Sequence, residues 1–277
     1  MNDAKATKTS VISFVNVSRS YTRGGETLHA LEDFSLEVPE GSFQAIMGPS
    51  GSGKSTFLNL CGGLDQPSAG QVIIGGEDLS HLTKPELASF RADNIGFIFQ
   101  GFNLLPVLTA VQNVELPLKL TPLTSRQRRE QAEFALEIVG LKDRMHHRPS
   151  ELSGGQEQRV AIARALATDP RLILADEPTG DLDRETADAV LDLLVRLNRE
   201  HGKSIIMVTH DPRAAVRAEA TIHLDKGRLG KIVYNGGDEV ADGIQTDDEP
   251  AADAGAETGA PAESGDKAGD KTGDGEG

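Results

Sequence analysis

Residues 48–56 read Gly-Pro-Ser-Gly-Ser-Gly-Lys-Ser-Thr, and the first eight fit G-x-x-x-x-G-K-[ST], the pattern of a phosphate-binding loop. The apolar stretch 43–47 before the loop predicts a short buried strand, and residues 56–60 after it continue as a helix. Strand, glycine-rich loop and helix in this order are the context that a phosphate cradle needs. The alternative, a Gly/Ser-rich surface linker, does not explain that context.

Each part of the loop has a predicted task. The glycines allow several backbone N–H groups to point inward, and the following helix adds partial positive charge. Lys54 is expected to reach the β- and γ-phosphates, and the Ser55 hydroxyl to take a place on Mg²⁺. The predicted nucleotide-binding residues of this loop are Gly48, Pro49, Ser50, Gly51, Ser52, Gly53, Lys54, Ser55 and Thr56.

Two carboxylates follow a second apolar run, Leu172–Ala175. Its composition is typical of a parallel strand covered on both faces, and the carboxyl ends of such strands form the ligand-binding edge of an open α/β sheet. Asp176 is therefore placed to hold the metal, and Glu177 to polarise a water for in-line attack on the γ-phosphate. Alone, the pair could equally be a solvated strand end before a turn.

Two further strand-like runs end in polar side chains. His210 follows 204–208, and Gln100 follows 95–99. His210 is expected to hydrogen-bond the γ-phosphate or the attacking water, and Gln100 to reach Mg²⁺ or that water. A structural histidine and a surface amide in a turn are the alternatives.

Tyr21 is one of only two tyrosines and lies in a polar stretch near the first β pattern. An aromatic ring there can stack on adenine, although packing at a strand edge would explain it as well.

A second anion site is predicted far along the chain. Leu152–Gln156 reads Leu-Ser-Gly-Gly-Gln and precedes a helical pattern through 158–166. A Ser-Gly-Gly turn at a helix start binds anions, but about a hundred residues separate it from the first loop.

These motifs, in this order, resemble the nucleotide-binding subunits of ABC transporters from about Val11 to Tyr234. They are Tyr21 (A-loop), Gly48–Thr56 (Walker A), Gln100 (Q-loop), Leu152–Gln156 (signature), Leu172–Glu177 (Walker B with its glutamate), Gly180–Asp183 (D-loop) and His210 (H-loop). Two positions depart from the usual pattern, Asp181 in the D-loop and Glu157 after the signature. Within the family, residues 101–118 look like the branch of lipoprotein-release, macrolide-export and cell-division ATPases.

The resemblance implies a function as well as a fold. Ser153, Gly154, Gly155 and Gln156 would close over ATP held by a second copy of the chain, and Asp183 would join the nucleotide-binding residues. The implied protein is a homodimeric Mg²⁺-dependent ATPase that drives an integral membrane permease from the cytoplasmic face of the membrane. A division-type ATPase that signals through a membrane partner remains an alternative. A soluble translation or DNA-repair ABC protein is disfavoured, because the chain has one cassette and a short helical arm.

Composition agrees with a folded body followed by a tail. The net charge is −15, and residues 237–277 account for −11 of it with 13 acidic residues and two lysines. This acidic tail argues against nucleic-acid binding, and its low apolar content predicts disorder. It is either a solubilising appendage or a docking tail. The chain shows no run of 18 apolar residues and no apolar signal-peptide core near Met1, so we expect neither a membrane span nor a signal peptide.

The expected architecture is α/β, a P-loop NTPase core with an antiparallel β subdomain and an α-helical subdomain. A flexible terminus at 1–10 would precede the ATPase domain at 11–235, which contains the helical subdomain at 101–150, and a disordered tail at 236–277 would follow. The apolar loop Phe102–Leu108 is the candidate contact with the permease, although core packing explains its residues equally well.

Overall fold

The structure is a computed structural model that describes residues 9–236 and 240–242. Its strands are β1 (Ser10–Arg23), β2 (Glu26–Pro39), β3 (Phe43–Met47), β4 (Ala69–Ile74), β5 (Glu77–Asp78), β6 (Ile95–Phe99), β7 (Leu172–Asp176), β8 (Ser204–Val208), β9 (Ala220–Asp225), β10 (Arg228–Tyr234) and β11 (Val240–Asp242). Its α-helices are α1 (Lys54–Cys61), α2 (Lys84–Asn94), α3 (Ala110–Leu118), α4 (Ser125–Ile138), α5 (Gly154–Leu166), α6 (Arg184–His201) and α7 (Pro212–Ala215).

The central sheet has the strand order β11-β10-β9-β3-β8-β7-β6. Strands β9, β3, β8, β7 and β6 run parallel, whereas β10 and β11 are antiparallel at one edge. Alternate residues of β7 show that both faces are covered. Leu172 and Leu174 pack in one hydrophobic cluster, and Ile173 and Ala175 pack in the other. This explains the unbroken apolar runs in the sequence.

A smaller antiparallel sheet, ordered β2-β1-β4-β5, covers one face of the core. Three phenylalanines join it to the central domain. Phe14 of β1 stacks on Phe57 of α1 at 5.0 Å between ring centroids, and Phe34 of β2 meets both rings edge-on at 5.7 Å. Because α1 begins at the phosphate-binding loop, this aromatic cluster ties the antiparallel sheet to the helix below that loop.

Helices α3, α4 and α5 form a helical arm that packs on the other face of the core. Each begins with a capping box, in which a Ser or Thr hydroxyl accepts from the third helical N–H and a Gln side chain accepts in return. The capping residues Thr109, Thr124 and Ser153 therefore set where the arm helices start.

Most of the predicted elements are present where the sequence pattern placed them. Helices α3 and α4 lie within the predicted helical subdomain at 101–150, and α4 is bounded by Thr124 and Val139 as caps. Strands β9 and β10 form an antiparallel hairpin near the end of the predicted ATPase domain. The predicted flexible terminus at 1–10 and disordered tail at 236–277 lie outside the described residues, except for residues 9–10, 236 and 240–242. Ser10 already belongs to β1, and Val240–Asp242 pairs with β10 as a short edge strand. None of the helices in the described part of the chain has the length and apolarity needed to span a membrane.

Replacing Phe34 with Ala should lower the free energy of unfolding by about 3–5 kcal/mol, because it removes a fully buried ring and leaves a cavity between two others. Denaturant unfolding followed by circular dichroism measures this change. Phe134 is 63% exposed, so Phe134→Ala is the matched control and should change stability little. Equal losses for the two variants would contradict the assignment of Phe34 to the core.

Candidate functional site

Sheet register brings the predicted catalytic residues to one edge. Phe99 of β6 pairs with Asp176 of β7, which in turn pairs with Val208 of β8. The residues that follow these strands therefore emerge together, namely Gln100 after β6, Glu177 after β7, and Thr209 and His210 after β8. The next parallel strand, β3, leads at the same edge into residues 48–53.

The phosphate-binding loop has a backbone shape that depends on glycine. Gly53, the residue before α1, has a φ of 99°, in the left-handed region that glycine adopts readily. A Cβ at Gly53 would lie 2.5 Å from the Ala30 carbonyl oxygen, and one at Gly48 would lie 2.3 Å from the Leu224 carbonyl oxygen. Side chains at these positions would collide with the neighbouring strands, so the loop needs glycine there to keep this shape.

Lys54 and the serines complete the cradle. The Lys54 ammonium donates to the carbonyl oxygens of Gly48 at 2.7 Å and Pro49 at 2.9 Å, so it lies over the loop. The buried Ser52 hydroxyl has no hydrogen-bond partner among the described residues. Ser55 is exposed in the first turn of α1. An uncapped helix start, an ammonium group and a spare hydroxyl are together a donor set suited to a polyphosphate chain.

Asp176 is the half-buried carboxylate at the end of β7. Burial raises the pKa of Asp176, as does the adjacent Glu177 charge, while Lys54 lowers it by a smaller amount. The carboxylate pair therefore gains from any further positive charge brought to this edge. Among the described residues, no group of three or more His, Cys, Asp or Glu side chains forms a metal site. Any metal here would need oxygen ligands beyond carboxylates, as Mg²⁺ at a phosphate site does.

Glu177 and His210 form a hydrogen-bonded pair. His210 Nδ1 lies 2.9 Å from Glu177 Oε1, and the His210 backbone N–H donates to Oε2 at 3.4 Å. The hydrogen bond and the negative charge of Glu177 raise the pKa of His210. Glu177 itself has a φ of 48°, an uncommon conformation for a side-chain-bearing residue. Its backbone N–H donates to the Val208 carbonyl at 2.9 Å, which holds it there.

Gln100 lies against the D-loop. Its Nε2 donates to Asp181 Oδ1 at 2.6 Å, and a Cβ at Gly180 would approach its amide carbon to 3.0 Å. Asp181, one of the two departures from the usual family pattern, therefore holds the amide nitrogen of Gln100. The amide oxygen is left as the acceptor end of the side chain.

Gln158 is a site residue that sequence reasoning missed. It is fully buried, and its Nε2 donates to the Pro178 carbonyl at 2.5 Å and to the Phe99 carbonyl at 3.4 Å. Gln158 thus connects α5 to the residues beside both Gln100 and Glu177. A signal was available, because a glutamine at 158 stands on the same helical face as Gly155 and the apolar residues 162 and 165, where a polar side chain needs buried partners.

Tyr21 lies on β1 and is part of a cluster that the sequence did not indicate. Its hydroxyl donates to Asp65 Oδ2 at 2.7 Å, and the guanidinium carbon of Arg19 lies 4.6 Å from its ring centroid. Arg19 also forms an ion pair with Asp65.

The signature residues lie apart from the first loop. Ser153 caps α5, with its hydroxyl accepting from the Gln156 N–H at 3.4 Å, and its side chain is exposed. Asp183 likewise caps α6, accepting from the Thr186 N–H at 3.1 Å and the Thr186 hydroxyl at 2.6 Å. Across the described residues, no hydrogen bond joins 152–156 to 48–56. One chain therefore presents two separate helix starts suited to anions.

Comparison with known proteins decides the family. Residues 31–180 match the family model described as "ABC transporter".

The chain belongs to the ABC transporter ATP-binding family.

Three relatives illustrate the similarity. The chain is 52% identical over 223 residues to the uncharacterized ABC transporter ATP-binding protein YknY of Bacillus subtilis, covering 80% of this chain and 95% of that protein. It is 48% identical over 219 residues to a macrolide export ATP-binding/permease protein MacB of Paracoccus denitrificans, covering 79% of this chain but only 33% of that protein. A solved dimeric structure of the ATP-binding cassette MJ0796, in a post-hydrolysis state with ADP and Pi, superposes with a TM-score of 0.74 at 45% identity, covering 82% of this chain and 99% of that one.

These findings confirm the predicted family, the α/β fold and the ATPase class. They do not test the individual site residues, whose roles stay predictions.

We expect Glu177→Gln to lower the pKa of His210 towards the ordinary histidine value, because the carboxylate charge that favours the protonated ring is removed. A histidine NMR titration of the full chain measures the pKa. The raised pKa also means that this pair stabilises the fold most below the ordinary histidine pKa, and that its contribution is lost as the pH rises through the raised value.

His223 is the internal control, since burial and the charge of Lys231 lower its pKa and neither involves Glu177. An unchanged His210 titration in Glu177→Gln would contradict the pairing.

Proposed function

We propose that this protein is the ATP-hydrolysing subunit of an ABC transporter of the export or lipoprotein-release type, and that it works as a homodimer with two ATP molecules at the interface. The observation that carries the proposal is the division of the anion-binding elements within one chain. The start of α1 holds a phosphate cradle, whereas the start of α5 is exposed and unconnected to it.

A second copy supplies what each cradle lacks. In a two-fold arrangement, the Ser153 turn of one chain can face the cradle of the other, so that each ATP is held by both chains. The solved post-hydrolysis structure of MJ0796 is a dimer bound to ADP and Pi, which supports this arrangement. ATP then holds the interface closed, and its hydrolysis removes the contacts that closed it.

The residues at the sheet edge have distinct proposed roles. Lys54 and the loop N–H groups bind the phosphates, and Glu177 acts as the general base towards the attacking water. His210, paired with Glu177 at 2.9 Å, orients that carboxylate and contacts the γ-phosphate. Ser55, Gln100 and Asp176 are the proposed ligands of Mg²⁺, which when bound would neutralise phosphate charge.

The remaining nucleotide contacts come from outside this edge. The Tyr21 ring is proposed as the platform for adenine, a stacking contact worth about 1–3 kcal/mol. Asp183 is proposed to approach the nucleotide across the dimer interface while capping α6.

A groove beside the Q-loop is the proposed contact with the permease. It encloses about 250 Å³ and separates the edge strand of the core from the arm. Its lining includes Phe97, Phe99, Asn103, Pro117 and Arg164. The adjacent loop keeps Leu105 46% and Val107 74% exposed, while Leu104 packs against the core. Part of the predicted apolar loop thus serves packing, and part is free for a partner.

The permease assignment draws support from the relatives. In the macrolide export relative, the matching segment occupies a third of a protein named as both ATP-binding and permease. We propose that the present chain contacts a permease on the cytoplasmic face of the membrane. Arg164 donates to the carbonyl oxygens of Phe102 and Asn103, so movement of the loop would be transmitted to α5 and its Ser153 end.

The variant Glu177→Gln should still bind ATP, but its rate of ATP hydrolysis should fall by roughly 10²–10⁴-fold. Because the bound ATP is not consumed, the variant should accumulate as an ATP-dependent dimer. Phosphate release and size-exclusion chromatography with light scattering measure the two effects. Undiminished turnover would exclude Glu177 as the base.

The matched control adds a second change in the same chain. Glu177→Gln combined with Ser153→Arg should still bind ATP, because the cradle is intact, but should stay monomeric. A dimer that persists in this double variant would contradict the shared-site proposal.

Replacing Leu105 and Val107 with Asp should abolish co-purification with membranes that contain the permease, because it charges the apolar contact. The same variant should keep the ATP-dependent dimerisation of the isolated chain. Phe134→Asp, at another exposed apolar position, is the control and should keep membrane association. Retention of the Leu105/Val107 variant on membranes would contradict this docking site.

A further inference from the structure

Asp65 is the centre of a cluster that joins the proposed adenine platform to the phosphate-binding helix. Its two carboxylate oxygens accept three hydrogen bonds and form an ion pair. The Arg19 Nε–H donates to Oδ2 at 2.8 Å, and a terminal guanidinium nitrogen of Arg19 lies 2.7 Å from Oδ1 in the ion pair. The Tyr21 hydroxyl donates to Oδ2 at 2.7 Å and the Gln66 N–H to Oδ1 at 2.8 Å.

The contacts with Asp65 and Arg19 restrict the orientation of the Tyr21 ring. The hydroxyl bond sets the direction of the ring axis, and the Arg19 guanidinium, 4.6 Å from the centroid, occupies one face by a cation–π contact. Bidentate pairing with Asp65 in turn holds that guanidinium. The ion pair is well sheltered, with Arg19 and Asp65 side chains 24% and 22% exposed. Arg19 thus covers one face of the ring, and the proposed adenine contact would use the opposite face.

Asp65 is also attached to α1. The backbone N–H groups of Leu64 and Asp65 donate to the Asn59 carbonyl at 2.8 Å and 3.2 Å, and Asn59 lies in the helix that begins at Lys54. The cluster therefore connects the strand that carries Tyr21 to the helix that carries the phosphate-binding lysine. The covalent link between base and phosphates limits how far apart they can lie, so both contacts must be held within that span.

We propose that Asp65, together with Arg19, is a positioning residue for purine-base recognition, setting the orientation of the Tyr21 ring relative to the phosphate cradle. This inference rests on the proposed role of Tyr21 as the adenine platform. The alternative is that the Arg19–Asp65 pair only fastens the antiparallel sheet to the core, in which case it would affect folding but not the choice of ligand.

The test compares dissociation constants of the full chain for ATP and for inorganic tripolyphosphate, which has no base. Asp65→Ala and Tyr21→Phe, which removes a single hydroxyl oxygen, should each weaken ATP binding about three- to tenfold. Tripolyphosphate binding should stay within about twofold. The double variant should bind ATP no more weakly than whichever single variant has the larger dissociation constant, because both changes remove the same hydrogen bond. Glu115→Ala, which breaks a partly buried ion pair with Arg129 in the helical arm, is the matched control and should leave both constants unchanged.

A spectroscopic measurement tests positioning directly. The chain has two tyrosines and no tryptophan, so Tyr234→Phe leaves Tyr21 as the single emitter. In that background, the decay of fluorescence anisotropy should gain a fast component when Asp65→Ala is added, and none with Glu115→Ala.

The outcomes distinguish failure of Tyr21 as the adenine platform from failure of Asp65 as a positioning residue. If Tyr21→Ala leaves the ATP-to-tripolyphosphate ratio unaltered, the adenine platform itself fails. If Tyr21→Ala changes that ratio while Tyr21→Phe and Asp65→Ala do not, the platform stands and the positioning role is overturned. Equal loss of ATP and tripolyphosphate binding in Asp65→Ala and Tyr21→Phe would also overturn it, in favour of a fastening role.

Discussion

The register of the parallel sheet is the constraint on which the site depends. Phe99, Asp176 and Val208 are paired across three neighbouring strands. The polar residues that follow them therefore lie at one edge of the sheet. A slip of one residue in any of these strands would exchange the two faces of that strand and bury its polar end. Leu172 and Leu174 are packed in one hydrophobic cluster and Ile173 and Ala175 in the other, so a slip would disrupt the packing of both clusters as well as bury a polar side chain. The hydrophobic clusters that stabilise the fold therefore also set the geometry of the chemistry.

The same edge explains why the family could be inferred from sequence. Lys54, Asp176, Glu177 and His210 each follow a short apolar strand or a glycine-rich loop, and in a parallel sheet those features alone place their side chains together. Long-range contacts between irregular segments have no such rule. Asp65 lies in a loop and bonds to Arg19 and Tyr21 of β1, which are 46 and 44 residues away, and Gln100 bonds to Asp181, which is 81 residues away. No periodicity in the chain predicts these contacts. Gln158 is an intermediate case. The sequence pattern predicts its position on a buried helical face, but it does not predict the carbonyl groups to which its side chain donates.

Helix capping by Ser153 and Asp183 is a second feature that the sequence analysis did not predict. Ser153 and Asp183 were predicted as nucleotide contacts, and in the single chain each satisfies the first turn of its own helix. The two roles are compatible. A capping side chain is fixed in place at a helix N-terminus, where N–H groups and the helix dipole favour a negative charge. Under the proposed function, the cap would hold the start of α5 in place for a phosphate bound by the second chain.

Electrostatics at the sheet edge then link the two halves of the proposed cycle. Asp176 and Glu177 are adjacent carboxylates, and burial of Asp176 together with repulsion from Glu177 raises the pKa of Asp176. Lys54 offsets part of this repulsion, but its ammonium is engaged with the loop carbonyls, and His210 is hydrogen-bonded to Glu177. The edge is thus short of positive charge next to Asp176. A nucleotide that arrives with its divalent cation would supply that charge and draw Lys54 from the carbonyls to the phosphates. Loss of the γ-phosphate would reverse part of this exchange, so one chemical step at the edge alters the attraction between the two chains that share the nucleotide.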